Sequence, residues 1–268
     1  MPRVYLAVCS CLGFDVAYLH EWIEFHRLVG VERFFLYNNG EREAQRKLLT
    51  PYVEEGLVVL HDWPGVGVQI AALQDCLESH RDDARWIAFI DTDEFLFSPD
   101  KEPVPEVLVE YESWPGLGVN QFLFGTSGHV TKPEGLVIES YLHREDFEWM
   151  RFIKSIVDPR RAVRARGAHH FSYRNGELAV DVKKRPVPIE QSEDRSDRPL
   201  RINHYYTKSE EELRIKKSRP RPDTGEPYME YHFPEATQTQ TLDETILIYV
   251  LALQEALRRA SANAPRSP

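Results

Sequence analysis

A chain of 268 residues with 42% hydrophobic and 28% charged side chains has ordinary globular composition, ample for a sizeable core. A net charge of −10 argues against a nucleic-acid protein, which would show a basic face. No apolar stretch approaches the roughly 18 residues of a membrane span, and Val4 to Cys9 is too short and strand-like for a secretory leader.

A cytoplasmic protein, at most peripheral on a membrane, is therefore expected. Cys9, Cys11 and Cys76 cannot all pair, and their spacing fits no zinc framework, so they read as reduced core thiols.

Val4 to Cys9 reads as a first buried strand. Tyr18 to Val29 carries a helical apolar stripe (Leu19, Trp22, Ile23, Phe25, Val29) closed by Gly30. Glu32 to Tyr37 is a second strand, broken by the turn signal Asn38-Asn39-Gly40. Glu41 to Leu49 is helical and stops before Pro51, because a residue preceding proline avoids the helical region. Leu57 to His61, Val68 to His80 and Arg85 to Ile90 then read as strand, helix and strand. This β-α-β-α-β-α-β run predicts a mostly parallel sheet with right-handed crossovers, the α/β class with flanking helices. The first strand is followed by Cys9-Ser10-Cys11-Leu12-Gly13-Phe14 and not by Gly-x-Gly-x-x-Gly, so a dinucleotide cofactor has little support.

The fourth strand delivers Asp91-Thr92-Asp93-Glu94. Ligands of open α/β sheets bind outside the carboxyl ends of the strands. Alternation along a strand puts Asp91 and Asp93 on one face and points Glu94 away. Two such carboxylates repel unless a cation, Mg²⁺ or Mn²⁺, sits between them. The plain alternative is an acidic turn capping the next helix.

Beyond residue 100 the texture changes. Val104 to Tyr111 reads as a helix, and Leu117 to Phe124, Leu136 to Leu142, Ile153 to Val157, Arg161 to Ala165 and Arg201 to Tyr206 as strands. Lys183 to Pro199, with Pro186 and Pro188, reads as a mobile loop. Ser209-Glu210-Glu211-Glu212 looks like a capped helix start, and Leu242 to Leu257 like a closing amphipathic helix with a frayed tail after Ala260. The organisation expected is one domain over 1–268: a nucleotide-binding half at 1–100, an acceptor and metal half at 101–219, and a C-terminal loop and helix at 220–268.

Several segments together resemble glycosyltransferase family 92, relatives of family 2 with a GT-A fold. They are Tyr18 to His26, Gly30 to Phe34, Ala88 to Phe95, Phe124 to His129 and Ile202 to Ser209. The resemblance implies an inverting, metal-assisted transfer of a hexose, with galactose the candidate, from a nucleotide sugar such as a UDP-hexose. The acceptor it implies is a glycan or lipid-linked sugar. Asp91, Asp93 and His204 are then the metal set, with Asp91 also available to the donor ribose. Mn²⁺ and Mg²⁺ both suit carboxylates plus one imidazole.

Cys9, Asn38, Gln69, Asp91, Lys154 and Lys208 are placed on the donor side, with Lys208 favoured for the diphosphate. Arg214 and Lys217 are the other basic groups nearby, although a charge run on a helix is usually a solvated face. Relatives usually carry Lys-Asn-Glu after the first strand and Asp-Asn-x-Ser after the second. Leu12-Gly13-Phe14-Asp15 and Asn38-Asn39-Gly40-Glu41 stand there instead, both on the nucleotide side of that fold.

The base that takes the acceptor proton is sought among Glu139, Asp146, His129 and Glu145. Two other readings compete. A strand ending in Asp-x-Asp also opens a phosphohydrolase motif, but Phe95 and the fourth-strand position depart from it. A nucleotide-sugar- or glycan-binding protein without catalysis is the other.

Overall fold

The structure, a computed structural model, describes residues 3–13, 16–40, 42–228 and 241–263. Phe14, Asp15 and Glu41 of the two departures, and the tail from 264 onward, lie outside them.

β1 (Val4–Leu12) continues past its expected end at Cys9 and is flanked by parallel neighbours on both sides. Then come α1 (Val16–Leu28), β2 (Arg33–Asn38), α2 (Arg42–Glu54), β3 (Val58–Asp62), α3 (Gln69–Ser79) and β4 (Ala84–Phe89). Right-handed crossovers bring the carboxyl ends of these four strands to one edge in the order β3-β2-β1-β4. Gly30 ends α1 at φ +103°, and a Cβ there would meet Pro105 Cδ at 2.6 Å, so both the turn and the close approach require glycine.

The second half adds β5 (Glu94–Phe97), α4 (Val104–Leu108), β6 (Gly116–Leu123), α5 (Val137–Ser140), β7 (His143–Arg144) and β8 (Ile153–Val157). After these come β9 (Ala162–Ala165), β10 (Phe171–Tyr173), β11 (Ala179–Asp181), β12 (Pro186–Val187) and β13 (Arg201–His204). α6 (Glu210–Lys217), β14 (Thr241–Leu242) and α7 (Val250–Asn263) close the chain. The main sheet runs β12-β11-β6-β8-β4-β1-β2-β3, with β13 beside β6 and β5. β8 is antiparallel to both β4 and β6, so its first residues meet their last residues at the same edge. The result is a mixed α/β fold whose central sheet is mostly parallel.

Apolar side chains fill both faces. One core gathers Leu6, Val8, Trp22, Phe25, Phe34 and Tyr249; the other gathers Cys9, Cys76, Phe89 and Phe171 against α3. Trp22 is fully buried, and its Nε1 donates to the Glu94 carbonyl at 2.8 Å, so α1 also fixes the start of β5. Truncating such a side chain costs about 3–5 kcal/mol.

Four expectations differ from the structure. α2 runs through Pro51 to Glu54, because buried Leu49 and Tyr52 hold its last turn on the sheet. Leu136 to Leu142 is not a strand. The Glu21 carboxylate accepts from Val137 N (2.9 Å) and Ile138 N (3.2 Å), which satisfies the first donors of the short helix α5. The segment 183–199 is pinned rather than mobile. β12 pairs with β11, Arg185 grips Asp181 and Asp194, and Arg195 pairs with the buried Glu145. α7 begins only at Val250: Asp243, held by Arg144 (2.7 Å) and Arg201 (2.9 Å), caps Thr245 N, and a 3-10 turn over Thr245–Tyr249 precedes the α-helix.

Candidate active site

β4 ends at Phe89, and Asp91-Thr92-Asp93 forms a tight turn into β5 instead of an extended strand end. Glu94 N donates to the Asp91 carbonyl (3.0 Å), and Asp91 N donates back to Glu94 Oε2 (2.8 Å). Strand alternation therefore does not apply. Glu94, expected to point away, is fully buried beneath the turn. β13 pairs antiparallel with β5 and places His204 opposite Glu94, while Tyr205 N donates to the Asp93 carbonyl (2.8 Å).

Each carboxylate has a cationic partner. Lys154, on β8 and 2% exposed, donates to Asp91 Oδ2 (2.6 Å) and lies 3.4 Å from Glu94 Oε2. Gln69, in the first turn of α3, donates to Asp91 Oδ1 (2.6 Å). Lys216 of α6 holds Asp93 Oδ2 (2.7 Å), and His204 Nε2 stands 3.4 Å from Asp93 Oδ1. Burial alone would raise the Asp93 carboxyl, but Lys216 and His204 outweigh it and hold it well below the usual carboxylate range. Burial pushes Glu94 up to about 7 against the opposing pull of Lys154. Burial disfavours the Lys154 ammonium, yet Asp91 and Glu94 reverse that and hold its proton more tightly than usual.

The turn forms the floor of a cavity of about 560 Å³ at the ligand edge of the sheet. On the β1–β3 side the wall is Cys11, Leu12, Gly13, Asn39 and the Gly65–Gly67 loop. Asn39 Nδ2 donates to the carbonyls of Trp63 (2.6 Å) and Gly65 (3.0 Å), tying that loop to β2. The β6–β8 side is Gln121, Leu123, Met150, Phe152 and His169, and Lys216, Arg219 and Arg221 bring positive charge from α6 and beyond.

A sequence profile described as glycosyltransferase family 92 matches residues 4–224. The chain belongs to glycosyltransferase family 92. It is 29% identical over 185 residues to a family 92 protein of Arabidopsis thaliana (64% of this chain, 32% of that one). To a family 92 protein of Oryza sativa subsp. japonica it is 30% identical over 183 residues (66% and 31%). A galactan beta-1,4-galactosyltransferase of Arabidopsis thaliana is 31% identical over 113 residues (38% and 22%). The chain thus spans about a third of the length of these curated family 92 relatives.

In this family 92 chain the fold brings together Gln69, Asp91, Asp93, Lys154 and His204 of the residues expected at the site. Other expectations are displaced. Cys9 is fully buried against α3, and Cys11, two residues on, lines the cavity. Asn38 is buried in β2, and its neighbour Asn39 reaches the cavity. Lys208 is 5% exposed with its ammonium 4.8 Å over the Tyr18 ring, and Lys216 contacts Asp93 instead.

None of the four candidate bases lines the cavity. Glu139 accepts from Gln254 (2.9 Å) and His129 Nε2 donates to the Ser140 carbonyl (3.0 Å). Asp146 accepts from Thr241 (3.3 Å), and Glu145 is sealed by Arg195 and Leu123 N. Sequence reasoning missed Gln121, His169 and Lys216. Lys216 lay in a charge run read as a solvated face, while Gln121 and His169 carry no spacing signal.

The family resemblance implies a divalent cation. Among the described residues no three His, Cys, Asp or Glu side chains form a metal-holding group. Mg²⁺-like ions, however, are held by one or two protein ligands plus substrate phosphates. Two ligands at right angles with bonds of about 2.1 Å stand about 3 Å apart. Asp93 Oδ1 and His204 Nε2, at 3.4 Å, come close to that spacing. Asp91 carries one hydrogen bond on each oxygen, from Gln69 and from Lys154, and that buried ammonium already supplies positive charge there. Asp93 and His204 are accordingly the pair that fits the ion. Among the described residues no helix is long and apolar enough to cross a membrane.

Proposed function

We propose that the protein is a metal-dependent, inverting glycosyltransferase that moves a hexose from a nucleoside-diphosphate sugar to a glycan. One observation carries the reading: Asp93 and His204 face each other on the floor of a cavity at the carboxyl ends of parallel strands, with cationic side chains on its rim. UDP-galactose is the favoured donor and a β-1,4-linked galactan the favoured acceptor, supported by the likeness to a galactan beta-1,4-galactosyltransferase.

On this reading the nucleoside lies against Gly13, Asn39 and the Gly65–Gly67 loop, over the ends of β1 to β3. Gln69 and Lys154 fix the Asp91 carboxylate so that it can meet a donor hydroxyl without reorganising. Asp93 and His204 would hold Mn²⁺ or Mg²⁺, which supplies Lewis-acid neutralisation of the departing nucleoside diphosphate. Arg219 and Arg221, the latter paired with Asp223, line the leaving group's side of the cavity. Leu123, Met150 and Phe152 exclude water where the sugar is exposed to attack.

A thermal-shift panel tests this. UDP should stabilise the protein only with Mn²⁺ or Mg²⁺, since a ligand that binds the native state alone raises its stability. Asp93→Asn should abolish that stabilisation; because it also leaves Lys216 without its carboxylate, the shift is read against the lowered melting temperature of the variant's own ligand-free form. Absence of any shift with every nucleoside diphosphate tried would sink the proposal.

A further inference from the structure

Resting on the transferase reading, the geometry points to His169 as the general base of the reaction, taking the acceptor hydroxyl proton on Nε2. The residue sits at the tip of the β9–β10 hairpin, where the chain returns to the ligand edge and enters the cavity wall. Its Nδ1 is 2.9 Å from the Ile153 carbonyl. A carbonyl only accepts, so Nδ1 carries the proton and Nε2 holds the lone pair. Ser155 Oγ donates to the His169 carbonyl at 2.7 Å, and the Phe152 ring lies 5.8 Å from the imidazole. Backbone and ring are both held before substrate arrives.

The carboxylates and the other imidazole of the wall are already engaged. Asp91 is bound by Gln69 and Lys154, and Asp93 by Lys216 and His204. Glu94 lies under the turn and accepts from Asp91 N. Glu212 accepts from Ser209 N and Oγ, Tyr18 and Tyr141, while Asp223 is paired with Arg221 at 2.6 Å. His204 Nδ1 meets Gln121 Oε1. His169 Nε2 has no partner among the described residues. Burial, then the Lys154 ammonium, lowers the ring to about 4, which keeps it neutral before substrate binds but also makes it a weaker base than a free imidazole. Its position and its open Nε2, rather than its basicity, single it out.

Position agrees with role. His169 stands beside β8 and Gln121, across the acidic turn from the wall that would hold the nucleoside. An inverting displacement needs its base on the side opposite the leaving group. In the step, the acceptor O–H proton passes to Nε2 and the freed oxygen pair bonds to the anomeric carbon. The bond from that carbon to the phosphate oxygen breaks, and its electron pair leaves with the nucleoside diphosphate. The imidazolium then returns its proton to water.

The test uses UDP-galactose and a β-1,4-linked galacto-oligosaccharide with wild type, His169→Ala and His169→Gln. Loss of a general base lowers turnover by about 100-fold or more. Both variants should show that fall in kcat, with the acceptor KM and the Mn²⁺-dependent shift by UDP unchanged. Added imidazole should restore part of the turnover of His169→Ala and none of that of His169→Gln. A kcat within fivefold of wild type, or loss of the UDP shift in both variants, overturns the assignment, the latter marking His169 as a packing group. Wild-type protein that turns over no donor overturns the transferase reading and the base with it.

Discussion

The His204 ring presents Nδ1 to the side-chain oxygen of Gln121 at 3.1 Å. Because an amide oxygen only accepts, this contact keeps a proton on Nδ1, so Nε2, the nitrogen that meets Asp93, is the one that gives up its proton when a metal is held. The amide is itself oriented, since Gln121 Nε2 faces the Ile153 carbonyl at 3.4 Å.

Partners that orient a metal-binding imidazole typically contribute 10- to 100-fold to affinity. Gln121→Ala is expected to weaken Mn²⁺ binding in the presence of UDP by about 10-fold or more. Calorimetric titration of Mn²⁺ into the UDP-saturated protein measures it. Unaltered affinity would show that Gln121 does not orient a ligand.

Lys154 is the buried counter-charge of two carboxylates. Removing one member of a buried ion pair leaves an uncompensated charge and costs about 3–5 kcal/mol. Asp91 remains 31% exposed on its side chain and can recruit water, which lowers the expected loss for Lys154→Met to about 3 kcal/mol. Urea unfolding followed by fluorescence measures it. A loss below 1 kcal/mol would mean that the carboxylates do not depend on this lysine.

The alternation of apolar strands and amphipathic helices up to Ile90 was legible because each element there follows its own period. β1 to β4 and the three helices between them needed nothing from afar. The features that escaped are those fixed across long stretches of chain. α5 owes its helical turn to Glu21, a partner 116 positions earlier than Val137. Glu94 escaped because a tight turn replaced the strand whose alternation would have turned it outward. Gln121 lies in β6, buried on both faces, where no period separates a site residue from a core residue. For the same reason Asp93 was readable and Lys216 was not. The acidic pair announces itself in four residues, whereas its cation arrives 123 positions later.

His26 gives a pH prediction outside the cavity. The ring is fully buried; Nδ1 donates to the Trp22 carbonyl (2.8 Å) and Nε2 accepts from Leu96 N (3.2 Å). That arrangement needs the neutral form, and burial lowers the ring to about 3. The unfolded chain binds the proton near pH 6.5 and the folded one does not, so the unfolded state gains protons first. The contribution of His26 is therefore full above about pH 6.5 and falls as pH drops towards 3, by up to about 1.4 kcal/mol per unit. Urea midpoints should drop between pH 7 and 5, while the His26 imidazole proton resonances of the folded protein stay fixed. A resonance that titrates near pH 6.5 would refute a neutral buried ring.

The last prediction concerns the acceptor. Trp149 is 53% exposed and stacks on Phe147, with ring centroids 5.7 Å apart and planes at 19°. The turn carrying them is rigid: Met150 N donates to the Phe147 carbonyl (3.0 Å) and Phe147 N to Glu145 Oε2 (3.1 Å). Glu145 is in turn locked by Arg195. Met150 and Phe152, just beyond, line the cavity, and Phe147 packs with them in one apolar cluster, so the stacked pair adjoins that wall through Phe147. A flat aromatic face held in place there suits the apolar face of a sugar ring extending from the site. Aromatic contacts of this kind contribute about 1 kcal/mol, or roughly fivefold in affinity. Trp149→Ala should raise the KM for a galacto-oligosaccharide by about that factor, with kcat and the UDP shift unchanged. Trp149→Phe should recover much of the loss, because it keeps a ring above Phe147. Equal KM values for all three proteins would remove Trp149 from the acceptor path.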